Sequence, residues 1–234
     1  MPTPVRQRSR RFSDLENGVH LTASEFLRRY EASPEIKKAE LINGIVYMAS
    51  PVRLGPHAEP DNLIQTWLGS YSIATPGVKA ASNATTRLGP DEVPQPDGLL
   101  RILPECGGQA RQDSKGYLQG APELVVEVAA STASIDAHEK LTAYRRGGVR
   151  EYVLWRTEDE AVDWWILEED DYQPLAAEPD GVTRSKIFPG LWLDTRALLA
   201  GEGTKVLATL QTGLQSAEHA AFVKRLSEES RRSR

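Results

Sequence analysis

One carboxylate stands inside an apolar run. The stretch Ala121-Pro122-Glu123-Leu124-Val125-Val126-Glu127-Val128-Ala129 is rich in Val and Leu, opened by Pro and closed by a small residue. That pattern predicts a buried strand. Glu127 sits near its end, where a charge is costly unless it is paired or bound to a metal. Upstream, Pro94-Gln95-Pro96-Asp97-Gly98-Leu99-Leu100 puts a second acid at the head of another strand-like run. Downstream, Asp136-Ala137-His138-Glu139-Lys140 opens a helix. Two acids on strands and one lysine on the following helix are the parts of a metal-dependent phosphodiesterase. Asp97 and Glu127 could hold Mg²⁺, with Mn²⁺ as a substitute, because these ions take oxygen ligands. The backbone carbonyl of Val128 is a further candidate ligand. Such an ion lowers the pKa of water and polarises a phosphoryl oxygen. A lysine beside it would position the attacking water and offset the charge that develops.

These residues need elements to hold them. Thr22-Ala23-Ser24-Glu25 is a capping-box pattern and predicts a helix through about Tyr30. Asn43-Gly44 between apolar runs at 38–42 and 45–49 predicts a β-hairpin, with Glu40 and Ile42 on one face and Leu41 on the other. On the strand alone, Glu40 reads as an ordinary solvent-facing residue. A loop at 50–60 holds His57, either near a site mouth or as a structural helix-start histidine. Leu63, Ile64, Trp67 and Leu68 then follow at helical spacing. Short strands are expected at 77–81, 85–88 and 97–103, followed by a Gly-rich loop over 104–120 that carries Cys106. A turn over 131–134 leads to a helix over 136–146, which Gly147-Gly148 ends. The next strand, 151–155, completes a strand–helix–strand unit whose two strands should be parallel. Trp164 and Trp165 fall on a further strand; such a pair could stack on bases, or serve as half core and half interface. Asp194 is placed to cap a short helix. Beyond Gly201-Glu202-Gly203, the residues Leu207, Leu210, Leu214, Ala217 and Ala221 form a heptad-like stripe. It predicts an appended C-terminal helix, docked on its own body or on a partner chain.

The ordered series resembles a known family. Pro96-Asp97 followed by Glu127 is similar to the PD-(D/E)XK nuclease superfamily. The finer pattern is Pro122-Glu123-Leu124-Val125-Val126-Glu127-Val128, then Ser131-Thr132, Asp136, Lys140, Tyr144 and Gly148-Val149-Arg150-Glu151-Tyr152. It resembles the Uma-two family of putative restriction endonucleases. The likeness runs from about Glu40, in Glu40-Leu41-Ile42-Asn43-Gly44, to about Leu199, past Phe188-Pro189-Gly190-Leu191. It implies an α/β fold of restriction-endonuclease type, a mixed central sheet flanked by helices. It also implies a role for Glu40, at a second metal or at metal-bound water, and places Asp136 and Tyr144 as accessory residues. The superfamily's written motif puts its lysine two positions after the second acid, where Ala129 stands here. Lys140 is then the candidate, as if the lysine had migrated to the helix, and the family pattern has a lysine at the matching place. Its alternative is a surface lysine paired with Asp136 one turn away.

Length and composition set the frame. The 234 residues suit a single sizeable domain over 19–200, a loose basic segment over 1–18 and a helical extension over 201–234. No apolar run is long enough for a membrane span, and the arginines near the start precede no apolar segment, so neither membrane insertion nor a secretory signal is expected. One cysteine and four histidines argue against a disulfide framework and a structural zinc site, and fit a reducing cytoplasm. The net charge of −5 is not the footprint of a dedicated nucleic-acid binder. Basic residues crowd both ends (Arg6, Arg8, Arg10, Arg11; Lys224, Arg225, Arg231, Arg232, Arg234) and read as solvated tails or as phosphate contacts. The expectation is a metal-dependent endonuclease acting on nucleic acid, DNA in the first instance, and assembled as a homodimer. The tryptophan pair and the C-terminal stripe motivate the dimer. The competing expectation is an inactive nuclease-fold protein that serves as a binding or assembly module.

Overall fold

The computed structural model describes residues 15–48, 53–130 and 136–233. The expected basic front segment with its arginines, and the expected turn over 131–134, fall outside these residues or almost wholly so. In chain order the strands are β1 (Ala39–Ile42), β2 (Ile45–Met48), β3 (Val78–Ser82), β4 (Thr86–Arg87), β5 (Gly98–Ile102), β6 (Arg111–Gln112), β7 (Leu118–Gln119), β8 (Leu124–Ala129), β9 (Glu151–Arg156), β10 (Ala161–Glu168), β11 (Asp171–Pro174), β12 (Val182–Arg184) and β13 (Trp192–Asp194). The helices are α1 (Ala23–Glu31), α2 (Glu59–Ala74), α3 (Leu141–Gly147), α4 (Thr195–Leu199), α5 (Gly203–Leu214) and α6 (Ala217–Arg232).

A six-stranded sheet runs in the order β11-β10-β9-β8-β5-β3. β8 and β9 are parallel, as the strand–helix–strand pattern requires, and the other neighbours are antiparallel. β8 lies inside the sheet and is buried along its whole length. Leu124, Val126 and Val128 face one apolar layer, with Ile64, Trp67, Leu68 and Tyr71 of α2 and residues of α5 and α6. Val125 and Ala129 face a second layer with Tyr144 of α3 and Tyr152 of β9. Alternation along the strand puts Glu127 on this second face. A third cluster joins α1 to the β1–β2 hairpin through Phe26, Leu41 and Val46. The fold is therefore a mixed α/β sheet with helices on both faces. α2 comes very close to β5: a Cβ on Gly98 would lie 2.7 Å from Leu68 Cδ1.

Several expectations change on inspection. Thr22 does cap α1, accepting from the Glu25 amide, but the Glu25 carboxylate binds Arg28 and Arg29. Two well-placed guanidiniums win it over a lone backbone N–H. The loop expected around His57 is instead a π-helical turn, Leu54–Ala58, leading into α2. The loop expected over 104–120 contains a 3₁₀ turn, Pro104–Cys106, and two short strands that form a small sheet in the order β4-β7-β6. The C-terminal stripe holds only in part: Leu210 is buried and Leu207 and Leu214 pack against the same core, but Ala217 and Ala221 are exposed. The chain turns at Gln215 and Ser216, and the buried residues are Val206, Leu210 and Gly213 of α5 with His219, Phe222 and Leu226 of α6. They pack on the chain's own body: Phe222 meets Phe188 edge to face at 6.3 Å, and Leu226 belongs to the α2-side core. The tryptophan pair is likewise used inside the chain. Trp164 is buried edge-on to Trp67, and Trp165 stacks on Tyr152. Both features that motivate a dimer are thus taken up within one protomer, and the pair offers no exposed platform for bases.

Phe222 is 1% exposed within the α2-side core. Phe222→Ala should destabilise the fold by about 3–5 kcal/mol, the usual cost of emptying an aromatic site. Urea unfolding measures it, and a loss below about 1 kcal/mol would mean that the C-terminal helices are not part of the cooperative core.

Candidate functional site

The register of the central strands brings the two acids together. Gly98 of β5 pairs with Val126 of β8. One step further in the same antiparallel register sets Asp97 opposite Glu127. Asp97 is 3% exposed and Glu127 2%. Asp97 Oδ2 accepts from the Val128 amide at 3.0 Å. Val128 thus meets Asp97 through its N–H.

Each acid has its own cation. Lys140 is buried, and its ammonium lies 3.0 Å from Glu127 Oε1 and 3.0 Å from Glu40 Oε2. It points inward, away from solvent. The Tyr144 hydroxyl, one turn later on α3, donates to Glu127 Oε1 at 2.5 Å. Lys38 approaches from the other side, 2.9 Å from Asp97 Oδ1 and 2.8 Å from Asn83 Oδ1. His57 Nε2 stands 3.5 Å from Asp97 Oδ2. His57 Nδ1 is buried with no hydrogen-bond partner among the described residues. Among the described residues, the carboxylates of Asp97, Glu127 and Glu40 face the ammoniums of Lys38 and Lys140.

Local structure explains this convergence. Glu40 follows Lys38 by two residues in an extended segment, so both side chains share a face. The buried segment from Val93 to Gly98 contains Pro94 and Pro96, which carry no N–H to satisfy. The one amide between them, Gln95 N, donates to Glu40 Oε1 at 2.7 Å. The Gln95 side chain is tied to Tyr30 and Thr85. Gln65 of α2 donates to the carbonyl of Asp97 and to Asp61 Oδ1. His57 and Lys140 both lie on π-helical turns, Leu54–Ala58 and Asp136–Lys140, each running into an α-helix. Such turns widen the helix and recur at functional sites. The Asp136 side chain lies outside the described residues, so its pairing with Lys140 does too.

Electrostatics follow the contacts. Burial by itself would raise the Asp97 pKa, but His57, Lys38 and the Val128 amide together hold it well below the usual carboxylate range. The contact with Asp97 raises His57 above its ordinary value. Burial works to lower Lys38, yet the charges of Asp97, Glu127 and Glu40 outweigh it and raise the ammonium's pKa. Burial, and next to it Glu127, push the Tyr144 phenol far up, so it stays a donor. Asp61 is raised, chiefly by burial.

The donor set has the chemistry of a hard-cation site: carboxylate oxygens from neighbouring strands. Among the described residues, no three acidic or histidine side chains are already gathered around one point. The ammoniums take the oxygens instead. Sequence reasoning named Asp97, Glu127, Lys140, Glu40, His57 and Tyr144, and all are brought together here. It missed Lys38, Gln95, Asn83 and Asp61. The i, i+2 spacing of Lys38 and Glu40 was a usable signal; the other three are contacts made only by tertiary packing.

Comparison with known proteins adds the following. A family model described as Uma2, putative restriction endonuclease, matches residues 23–196. That span begins before Glu40 and includes α1. No curated protein matches. Among solved structures, the crystal structure of a putative nuclease belonging to DUF820 from Anabaena variabilis ATCC 29413 is similar. It has a TM-score of 0.54 and 16% sequence identity, and the match covers 81% of this chain and 99% of that one. At that identity the likeness is one of fold. No helix among the described residues is long and apolar enough to cross a membrane.

Two measurements test the geometry. Tyr144→Phe should cost about 1.5–3 kcal/mol in urea unfolding, the range for a hydrogen bond to a charged group. The second concerns pH, in chelator. Asp97, with its lowered pKa, stabilises above the ordinary carboxylate pKa of about 3.9, and that contribution is lost as pH falls through its folded value. His57, with its raised pKa, stabilises fully below about 6.5, and that contribution is lost as pH rises through its folded value. His57→Gln should therefore flatten the alkaline side of a Tm-against-pH curve, and Asp97→Asn should flatten both sides. An unaltered profile in either variant would contradict the pairing.

Proposed function

Because the chain belongs to the Uma2 family of putative restriction endonucleases, we propose that it hydrolyses phosphodiester bonds of DNA with a divalent metal ion, at the cluster of Asp97, Glu127, Lys140 and Glu40. The observation that carries the reading is Lys140, buried and bridging Glu127 and Glu40 beside Asp97. Burying an ammonium is costly, and here carboxylates of two different elements, β1 and β8, are arranged around it. Asp97 and Glu127 would hold Mg²⁺ or Mn²⁺, which supplies polarisation of a phosphoryl oxygen and makes water more acidic. The chain's own residues do the rest. Lys140 orients water near the carboxylates and offsets negative charge as it develops. Glu40 and Tyr144 fix Lys140 and Glu127 in place. His57, raised by Asp97, can carry a proton to the leaving oxygen.

A specific observation favours a second reading. The Asp97 oxygens and both Glu40 oxygens already have protein partners. A network satisfied in this way also describes a nuclease fold retained as a binding or assembly module.

Purified protein incubated with plasmid, linear duplex and single-stranded DNA in Mg²⁺ or Mn²⁺ separates the readings. Cleavage should appear, and Asp97→Asn, Glu127→Gln and Lys140→Ala should each lower it by about 10²-fold or more. Lys140→Arg should rescue poorly, since a planar guanidinium does not replace a compact ammonium. Absence of cleavage in all three substrates, with DNA binding retained, would favour the binding module.

A further inference from the structure

Lys38 and Lys140 hold the same acid cluster from opposite sides but in different states of confinement. The Lys140 side chain is 7% exposed and is clamped by two carboxylates of two elements. The Lys38 side chain is 27% exposed, binds one carboxylate, Asp97, and has a second, uncharged anchor in Asn83 Oδ1. Asn83 itself is fastened to the segment beneath Asp97, because its amide donates to the Pro96 carbonyl at 3.0 Å. It holds the left-handed backbone that Asn tolerates, with φ of 52° at Asn43 and 50° here. An ammonium with a flexible four-carbon stem can leave Asp97 without losing this anchor.

The Asp97 oxygen that Lys38 occupies is one that a cation would take under the proposed function, on which this inference rests. Two cations cannot share one carboxylate oxygen at contact distance without strong repulsion. We propose that Lys38 is an exchangeable counter-ion: it neutralises Asp97 until a divalent cation displaces it, then swings on its Asn83 anchor to face the phosphate backbone of bound DNA. Lys38 thus keeps a buried acid paired in the ion-free protein and supplies a phosphate contact in the loaded one. Lys140 cannot make that exchange, since leaving would strand Glu127 and Glu40 together.

The test is calorimetric titration of Mn²⁺ into the whole chain, in the wild-type protein, Lys38→Met, Lys38→Gln and Asp97→Asn, with thermal unfolding in chelator to show that each variant is folded. Both Lys38 variants should bind Mn²⁺ at least about fivefold more tightly than wild type, since a competing charge has been removed. With Ca²⁺ in place of Mn²⁺, duplex binding by both should weaken, and the slope of log affinity against log salt should fall by about 1, the signature of one lost phosphate contact. Lys38→Gln keeps a polar side chain and guards against a packing artefact of Met. Mn²⁺ affinity unchanged or weakened in both variants, while wild type binds, would overturn the counter-ion role and leave the nuclease reading standing. Absence of Asp97-dependent Mn²⁺ binding in every protein would overturn both.

Discussion

Glu127 is a carboxylate on a strand buried on both faces, and the arrangement around it follows from the cost of placing it there. A charge in that position must be met by a cation and by hydrogen bonds. Lys140 and Tyr144 come from the same helical segment, one turn apart, and converge on one oxygen of Glu127. Lys140 is then itself a buried charge, and Glu40 of the hairpin is a second carboxylate against it. Glu40 in turn takes the one free amide of the Pro94-Gln95-Pro96 segment, which sets the approach to Asp97. The chain of compensations runs through the hairpin, the segment leading to β5, β8 and α3, and it fixes their relative positions.

Away from the cluster the same elements are clamped again. Arg146 of α3 binds Glu92 and Asn43 Oδ1, and Glu139 accepts from the Asn43 amide. Asn43 is the hairpin turn residue, so the turn that positions Glu40 is locked to the helix that carries Lys140. Glu92 also accepts from the Asn43 backbone amide. On the far side of the sheet, buried Glu151 gathers the Ser185 hydroxyl and the amides of Lys186 and Ile187. It fixes the segment on which Phe188 meets Tyr71 and Phe222. Buried acids recur in this fold as fasteners of irregular segments. The group around Asp97 and Glu127 differs because its partners are largely ammoniums, which a metal ion can replace, rather than backbone amides, which it cannot.

That difference connects the family to the chemistry. A nuclease fold of this kind gives a platform, and platform alone does not establish reaction. What distinguishes a working site from a retained shape is whether its carboxylates can be released to a metal. Both acids are buried, but the cations paired with Asp97, Lys38 and His57, are partly exposed, whereas Glu127 lies under the buried Tyr144 and Lys140.

The sequence by itself determined the central strands, the hairpin and the strand–helix–strand unit, because each rests on local pattern: Val and Leu runs, Asn-Gly, and the helix end at Gly147-Gly148. It also singled out Asp97, Glu127 and Lys140, since a charge inside an apolar run, or an acid and a lysine at the borders of regular elements, can be read without knowing what touches what. Tertiary structure decided the rest. The spacing of Lys38 and Glu40 puts both on one face, but only the meeting of β5 and β8 brings Asp97 alongside Lys38. The stripe beginning at Leu207 has a plausible period, yet which face is buried depends on the turn at Gln215 and Ser216 and on the surface offered by α2 and Phe188. The Trp164-Trp165 pair could serve core, interface or bases on pattern alone, and only the positions of Trp67 and Tyr152 assign the rings. Local patterns are set by backbone and side-chain preferences over a few residues, whereas these contacts join residues tens of positions apart. No local preference encodes them.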